Sequence, residues 1–275
     1  PKTDGLVVVW ESTKPGVSTI AYGTSQDSLC EPIAVEVDAD APNFQGQKMN
    51  LYHYKLSGLQ PGTRYYYEVQ LENGEKCAAS FRTLSDNPEQ INLISLSDSH
   101  IFATRAELNE AVKGYDPDII LHCGDLVEGT GAQAEQFSIW LAGDGDDDFI
   151  HSYPVVYSSG NHDQGDVYFN TYIYNIQDEE YGATVEGDSS FNYGGLHIIT
   201  MNSNPWGLFQ MNSEATGNQA DASTLQTISD AMDWLKNDLT TDAAKDAEFR
   251  LIMMHHPVSN AYTKRYIPEV IEPGN

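Results

Sequence analysis

The spacing of the apolar residues changes near residue 85, and this change constrains the fold more than any other feature of the chain. Before it, short runs of strand length, apolar at residues 6–10 and alternating at residues 65–71, are separated by turn-forming residues. About seven such runs predict a β-sandwich of two antiparallel sheets. After it, apolar runs of strand length alternate with segments of helical spacing, which predicts an α/β domain with layered sheets. We therefore predict an all-β sandwich at residues 1–84, a polar linker at 85–90 and an α/β domain at 91–275.

The elements of the second domain follow from the period of its apolar residues. Their alternation along the chain indicates that helices cover the faces of the sheets. The predicted strands are 91–96, 118–123, 154–157, two within 191–201, and 249–254, and the predicted helices are 103–112, 132–141 and 223–239.

The charge of the chain limits what it can bind. There are 14 basic and 41 acidic residues, which gives a net charge of −27. Such a surface repels nucleic-acid phosphates and anionic membranes, so we predict neither as a partner. A small phosphate ester is still a possible substrate, because bound metal ions can dominate the field near a site. There is no run of ~18 apolar residues that would span a membrane.

Four polar clusters follow four of the predicted strands. The carboxyl ends of strands in an open α/β sheet are where ligand sites form. Carboxylates, imidazoles and an amide oxygen suit iron, zinc or manganese, and one carboxylate can bridge two ions. Asp125 is the natural candidate for such a bridge. The clusters are Asp98-Ser99-His100, Gly124-Asp125, Gly160-Asn161-His162-Asp163 and His255-His256-Pro257.

Each cluster taken alone has an ordinary structural interpretation. Asp98 or Ser99 can cap the next helix, Gly124-Asp125 is a common turn pair, and His255 can be a hydrogen-bonded core histidine. The joint occurrence of four clusters, each directly after a strand, favours a metal site over four separate structural roles.

The ordered set resembles the calcineurin-like metallophosphoesterases, whose pattern is Asp-x-His, Gly-Asp, Gly-Asn-His-Asp/Glu and a lone histidine after a strand. The resemblance covers residues 91–275. Residues 59–67, Leu-x-Pro-Gly-Thr-x-Tyr-x-Tyr, resemble the fibronectin type III pattern. A domain of that kind ahead of the catalytic domain is similar to the purple acid phosphatase branch.

The resemblance implies a site with two divalent or mixed-valence ions of iron, zinc or manganese. His162 would lie next to the substrate phosphate, and Asp163 would orient its imidazole and raise its pKa. His256 would be a neighbour of the site. By position, the first metal would be held by Asp98, His100 and Asp125, and the second by Asp125, Asn161 and His255.

The expected activity is hydrolysis of a small-molecule phosphomonoester by a metal-bound hydroxide. A phosphodiesterase using the same site is one alternative. A binding or adhesion protein with a degenerate catalytic domain is another. The family, the sandwich and the low cysteine count together predict an exported location.

Two departures from the family pattern affect this expectation. Purple acid phosphatases have a tyrosine three positions after the Gly-Asp pair and glycine in the first motif, where this chain has Glu128 and His100. We therefore predict a tyrosine-free site without purple colour. The family's final Gly-His-x-His is absent from the 275 residues, and we expect the sequence to be truncated at its carboxyl end.

The remaining candidates are predicted to be structural. Cys30 and Cys77 could form one disulfide, which the sequence leaves open. We expect Cys123 to be a small buried residue and His122 and His197 to be structural. The acidic run at 144–148 is predicted to be a solvated loop rather than a calcium loop. Residues 204–206, Asn-Pro-Trp, could line the mouth of the substrate site.

Overall fold

The computed structural model describes most of both predicted domains. The description covers residues 2–37, 43–44, 47–48, 50–100, 105–128, 133–145, 147–163, 173, 188–205, 222–257, 259–260 and 265–266. No helix among them is long and apolar enough to cross a membrane.

The amino-terminal part consists of antiparallel strands. β1 pairs with β6 in a two-stranded ribbon, and a second sheet has the order β3-β2-β7-β8. Trp10 of β1 stacks on Tyr52 of β6 with ring centroids 5.4 Å apart, inside the core between the two sheets. The strands are β1 Leu6–Ser12, β2 Ser18–Gly23, β3 Ile33–Val35, β4 Asn43–Phe44, β5 Gln47–Lys48, β6 Asn50–Leu56, β7 Arg64–Gln70 and β8 Lys76–Arg82.

The ribbon of β1 and β6 has apolar side chains on both faces. Successive side chains of a strand point to opposite faces, so neighbours in sequence can belong to different cores. Val8 and Tyr52 lie in the core of the sandwich, whereas Val9 and the fully buried Leu51 pack into the core of the second domain. Tyr67 Oη also donates a hydrogen bond of 2.9 Å to the carbonyl oxygen of His151 in the second domain.

The second part consists of two sheets with helices on their outer faces. A parallel sheet has the order β11-β10-β9, and a mixed sheet has the order β12-β13-β14. The elements are β9 Leu93–Leu96, α1 Arg105–Tyr115, β10 Ile119–His122, α2 Gln133–Ala142, a 3₁₀ helix Phe149–His151, β11 Val155–Tyr157, β12 Ser189–Tyr193, β13 Leu196–Thr200, α3 Ala222–Asp238, α4 Asp242–Asp246, β14 Phe249–Met253, β15 Ser259–Asn260 and β16 Arg265–Tyr266.

Three apolar layers hold these elements together. Leu121 of β10 and Ile198 of β13 meet in a core between the two sheets. The other face of the parallel sheet packs with Val112 of α1 and Trp140 of α2. The other face of the mixed sheet packs with Ile228 of α3. The predicted fold class, a strand-rich first domain followed by an α/β domain, is confirmed.

One residue of the acidic run at 144–148 differs from our prediction of a solvated loop, whereas Asp144 and Asp147 are exposed. Asp148 is fully buried rather than solvated. Its two oxygens accept hydrogen bonds from Arg105 Nε at 2.8 Å and Arg105 Nη2 at 2.7 Å. The guanidinium in turn lies over the rings of Trp140 and Phe149. Asp148 therefore joins the first helix to the start of the 3₁₀ helix, whose first turn it caps.

The two cysteines of the first domain are not joined. Cys30 and Cys77 are exposed thiols, and Cys123 is half-buried at the end of β10.

Candidate metal centre

The loops after β9 and β10 have unusual backbone conformations at the predicted ligands. Asp98, His100 and Asp125 have φ values of 52°, 40° and 56°. Left-handed conformations of this kind cost about 1–3 kcal/mol for residues other than glycine and persist only when their surroundings fix them. Here the two loops are hydrogen-bonded to each other, because Asp98 N donates to the carbonyl oxygen of Gly124 at 3.0 Å and His100 N to that of Asp125 at 3.1 Å.

Two glycines allow the loop after β11, here called the third loop, to approach the loop after β10, here called the second loop. Gly124 has a φ of 95°, and a Cβ atom there would lie 2.6 Å from the amide nitrogen of Gly160. A Cβ atom at Gly160 would lie 2.1 Å from Asp125 Oδ1. The glycines of both motifs are therefore required by close packing around the Asp125 carboxylate.

The residues predicted for the first metal lie together. Ligand atoms of Asp98, His100 and Asp125 are all within 4.8 Å of one another. His100 Nδ1 lies 3.2 Å from the carbonyl oxygen of Val127, and a carbonyl can only accept, so Nδ1 carries the proton. This leaves His100 Nε2 as the atom that can bind a metal, in the tautomer that such sites use.

His255 reaches Asp125 from the loop after β14. Its Nδ1 donates to the carbonyl oxygen of Cys123 at 2.9 Å, and its Nε2 lies 3.3 Å from Asp125 Oδ2. Burial disfavours the charged form of both groups, but their mutual hydrogen bond outweighs it. The pKa of His255 is therefore raised, and that of Asp125 is lowered. Asp125 thus has one oxygen facing an imidazole of the second predicted ligand set.

Asn161 is held by the residue that we predicted to be a neighbour of the site. His256 Nε2 lies 3.1 Å from Asn161 Oδ1. The other side of that ring, Nδ1, lies 3.2 Å from Ser203 Oγ, and Ser203 also accepts from the backbone amide of His256. Burial, followed by the charge of His255, lowers the pKa of His256. A neutral His256 with the proton on Nε2 donates to Asn161 and fixes its amide.

The imidazole of His162 is oriented by the backbone of the Asp125 loop. Its Nδ1 donates to the carbonyl oxygen of Glu128 at 2.6 Å. Its Nε2 lies 4.0 Å from Asp125 Oδ2, and its ring stands edge-on to that of His100 with centroids 5.1 Å apart. The ring nitrogen of His162 that points away from the Glu128 carbonyl therefore lies among the predicted ligands.

Asp163 has a different set of contacts from the one that we predicted. It is fully buried, and its carboxylate accepts from the amides of Asp125 at 2.9 Å, Leu126 at 2.7 Å, Val127 at 3.3 Å and Gly160 at 2.8 Å. Burial raises its pKa to about 6, and the amide bonds oppose that rise. These contacts join the second and third loops, whereas the contact that orients His162 comes from the Glu128 carbonyl.

Sequence reasoning missed the position of the Glu128 side chain. Ligand atoms of His100, Glu128 and His162 form a second group within 4.8 Å, and Glu128 Oε1 lies 3.5 Å from His100 Nδ1. We had noted Glu128 only because it replaces a tyrosine. The available signal was its position, because Glu128 is a carboxylate three residues after Asp125 in a loop already predicted to bind metal.

Of the predicted substrate-mouth residues, Asn204 lies beside the third loop. Its Nδ2 donates to Ser159 Oγ at 3.0 Å. Trp206 lies outside the described residues.

The chemistry of the assembled donors fits divalent cations. Carboxylate oxygens and imidazole nitrogens converge, and the two histidines predicted as ligands, His100 and His255, have their Nδ1 protons held by backbone carbonyls. This is the donor set expected for iron, zinc or manganese. The role of each residue as a ligand remains a prediction.

Comparison with known proteins agrees with this geometry. The family model described as calcineurin-like phosphoesterase matches residues 91–273, and the one described as purple acid phosphatase, N-terminal domain, matches residues 2–83. No curated protein matches the chain. The solved structure of PhoD aligns with a TM-score of 0.62 over 94% of this chain and 61% of that chain, at 11% identity. This likeness shows the fold alone, and the chain spans about three fifths of the length of PhoD.

The first family model covers more than half of the chain, and the second covers the strand-rich domain ahead of it. The predicted resemblance to the calcineurin-like metallophosphoesterases, with an amino-terminal domain similar to that of purple acid phosphatases, is thereby confirmed, whereas the fibronectin type III likeness of residues 59–67 stays a prediction. The chain belongs to the calcineurin-like phosphoesterase family.

Proposed function

We propose that this protein is a dinuclear-metal-dependent phosphoesterase that hydrolyses small-molecule phosphomonoesters. The observation that carries the proposal is the convergence of Asp98, His100 and His255 on the carboxylate of Asp125, with Nδ1 of both imidazoles bonded to a backbone carbonyl. Two bound cations would supply a water of lowered pKa and would neutralise the charge of the phosphate.

The protein's own residues would hold and orient these parts. Asp98, His100 and Asp125 form the first ligand set, and Asp125, Asn161 and His255 form the second. Asp125 is assigned to both sets because its carboxylate lies within 4.8 Å of ligand atoms of Asp98 and His100 and because its Oδ2 lies 3.3 Å from His255 Nε2. The bond of 2.9 Å from the amide of His162 to Oδ1 helps to fix this shared carboxylate.

His162 is the candidate for the group beside the substrate. Its Nδ1 proton is held by Glu128 O, so Nε2 is the nitrogen that faces the substrate, and in the imidazolium form its proton would go to a phosphate oxygen or to the leaving alkoxide. Its side chain is 38% exposed, which allows a substrate to reach it. Asp163 would act through the backbone, by fixing the loops that carry Asp125 and His162.

The test is turnover of p-nitrophenyl phosphate together with metal analysis. Asn161→Ala should lower kcat by a factor of about 100 or more and reduce the bound metal below two ions per chain, since it removes a ligand. Asn87→Ala, an exposed position in the predicted linker, is the matched control and should behave like the wild type. Equal rates for the wild type and Asn161→Ala would refute the proposal.

The proposed preference for monoesters has its own measurement. Rates on p-nitrophenyl phosphate and on bis(p-nitrophenyl) phosphate should differ in favour of the monoester. A higher kcat/KM on the diester would mean that the protein is a phosphodiesterase. The proposed metal site would stand in either case.

We also propose that the protein is exported and acts on free phosphate esters rather than on nucleic acids. The match of residues 2–83 to an acid phosphatase amino-terminal domain supports the first statement, and the net charge of −27 supports the second. Fractionation of cells that express the full-length protein, followed by immunoblotting, tests the location. A signal confined to the cytoplasm would contradict it.

A further inference from the structure

His122 is a fully buried imidazole directly beneath the two loops that carry the first predicted ligand set. It is the last residue of β10, the central strand of the parallel sheet. Its Nε2 lies 2.9 Å from Ser99 Oγ, and its Nδ1 lies 3.3 Å from the amide nitrogen of Gly124. One side chain therefore contacts both loops: it reaches Ser99, which lies between Asp98 and His100, and Gly124, which directly precedes Asp125.

The hydrogen bonds define the tautomer of this ring. The amide of Gly124 can only donate, so Nδ1 of His122 is the acceptor and the ring proton is on Nε2. Nε2 then donates to the hydroxyl of Ser99. Burial, followed by the charge of Arg105, lowers the pKa of His122 to about 3, which agrees with a neutral ring.

Aromatic side chains prevent the ring from changing its orientation. Trp140 stands edge-on to it with centroids 5.2 Å apart, and Tyr157 lies 6.0 Å away on another side. Trp140 Nε1 donates to Tyr157 Oη at 3.2 Å, so these two rings are fixed to each other. The imidazole of His122 is thus a rigid support rather than a mobile side chain.

The loops above it need such a support. Asp98 and His100 flank Ser99 in left-handed conformations, and Asp125 follows Gly124 in another. Residues in these conformations relax when the contacts that fix them are lost. The hydroxyl of Ser99 is buried and contacts His122 at the centre of the strained segment.

We propose that His122 is a positioning residue of the metal centre, which holds the Asp98–His100 loop through Ser99 and the Asp125 loop through Gly124. This inference rests on the proposed function, because it assigns His122 a role in metal binding. Outer residues that orient metal ligands typically contribute about 10–100-fold in metal affinity or activity.

His197 provides a matched control on the neighbouring sheet. It is 2% exposed on β13, and its ring bonds Asn192 at 2.5 Å and Asp238 at 2.7 Å. It is as buried and as well bonded as His122, but both of its ring partners lie on β12 and α3 rather than in the ligand loops. Its loss should affect stability without affecting the affinity of the folded protein for metal.

The experiment uses four variants of the full chain: His122→Asn, Ser99→Ala, the double variant and His197→Asn. An asparagine at 122 retains an acceptor near the Gly124 amide but is too short to reach Ser99, so the first two variants remove the same hydrogen bond from opposite ends. Zinc and manganese affinities are measured by competition with a chelating dye, and kcat and KM are measured on p-nitrophenyl phosphate.

We expect His122→Asn and Ser99→Ala each to weaken metal affinity about tenfold or more and to lower kcat, with the KM for substrate little changed. The double variant should be no weaker than His122→Asn alone, because the shared bond is already lost. His197→Asn should show wild-type metal affinity and a lower melting temperature.

Metal affinities within about twofold of wild type for both single variants would overturn the inference, and so would an equal loss in His197→Asn. If His122→Asn does not fold, Ser99→Ala decides the matter alone, since it removes a single hydroxyl. A wild-type protein that binds neither metal would overturn the proposed function, and this inference with it. Wild-type binding with unchanged variants overturns only this inference.

Discussion

Replacing Asp148 by asparagine should cost the protein a large share of its stability. Each carboxylate oxygen accepts one bond from Arg105 and one from a backbone amide: Oδ1 from Arg105 Nη2 at 2.7 Å and Ile150 N at 3.0 Å, and Oδ2 from Arg105 Nε at 2.8 Å and Asp144 N at 2.9 Å. Whichever oxygen becomes an amino group, one bond to Arg105 and one to an amide are lost together.

The expected cost can be added from these two losses. A bond to a charged group contributes about 1.5–3 kcal/mol, and a buried amide left without an acceptor costs about 1–3 kcal/mol. The sum is about 2.5–6 kcal/mol, with a central value near 4 kcal/mol. The same figure follows from buried ion pairs, where removal of one partner typically costs about 3–5 kcal/mol. The Arg105 side chain is only 17% exposed, so its charge is poorly solvated once Asp148 is neutral.

Urea unfolding followed by tryptophan fluorescence measures this loss at pH 7 in the presence of a chelator. We expect an unchanged m value and a lower midpoint, because the surface exposed on unfolding is the same. The neighbouring Asp147→Asn is the control, since the Asp147 side chain is 93% exposed and its surface ion pair with Lys113 should contribute at most about 1 kcal/mol. A loss below about 1 kcal/mol for Asp148→Asn, or one equal to the control, would refute the reasoning.

The same pair predicts how stability depends on pH. Burial opposes ionisation of Asp148, but its bonds to Arg105 and to two amides outweigh burial, so its pKa is lowered from 3.8. A lowered folded-state pKa contributes stability that is present above 3.8 and is lost as the pH falls through the folded value. The wild type should therefore lose its advantage over Asp148→Asn below about pH 4. A difference between the two that stays constant in acid would contradict this assignment.

Three further predictions concern the site and the contact between domains. Gly160→Ala should reduce the bound metal below two ions per chain in dye-competition assays, because its Cβ would lie 2.1 Å from Oδ1 of the Asp125 carboxylate that both ligand sets share, and full metal loading would contradict this. Removal of metal with a chelator should abolish hydrolysis of p-nitrophenyl phosphate, and added zinc or manganese should restore it; activity that survives chelation would exclude the metal mechanism. Tyr67→Phe should lower the free energy of unfolding by about 0.5–1.5 kcal/mol in urea titrations without changing kcat, because it removes one hydrogen bond far from the site. An unchanged midpoint would mean that this bond between the domains contributes nothing.

The architecture could be predicted because the spacing of apolar residues along the chain distinguishes strands from helices. The apolar run in β1, the alternation over β7 and the apolar run in β10 correspond to strands that the structure contains. The meeting of the first three polar clusters was also predictable, since β9, β10 and β11 are parallel and present their carboxyl ends at one edge of a sheet. His255 follows β14 of the other sheet, so its approach to Asp125 depends on how the two sheets pack. The structure places Asp98, His100, Asp125 and His255 together, and their role as metal ligands is still to be tested by experiment.

The contacts within the site could not be predicted from spacing. They depend on loop backbones with positive φ at Asp98 and Asp125, and no apolar period reports such conformations. For this reason we assigned Asp163 to His162, whereas its carboxylate bonds the backbone of two loops. Asp148 shows the same limit at longer range, because nothing local to an acidic run indicates a partner 43 positions earlier in the chain.

The two-faced ribbon of the first domain has a consequence for how such chains can be recombined. Leu51 and Val9 fill space in the catalytic half, while their sequence neighbours Tyr52 and Val8 fill the sandwich. Separation of the two domains in the 85–90 segment would expose apolar surface on each of them where they now pack together. A replacement amino-terminal domain would therefore have to keep apolar side chains at the positions of Val9 and Leu51.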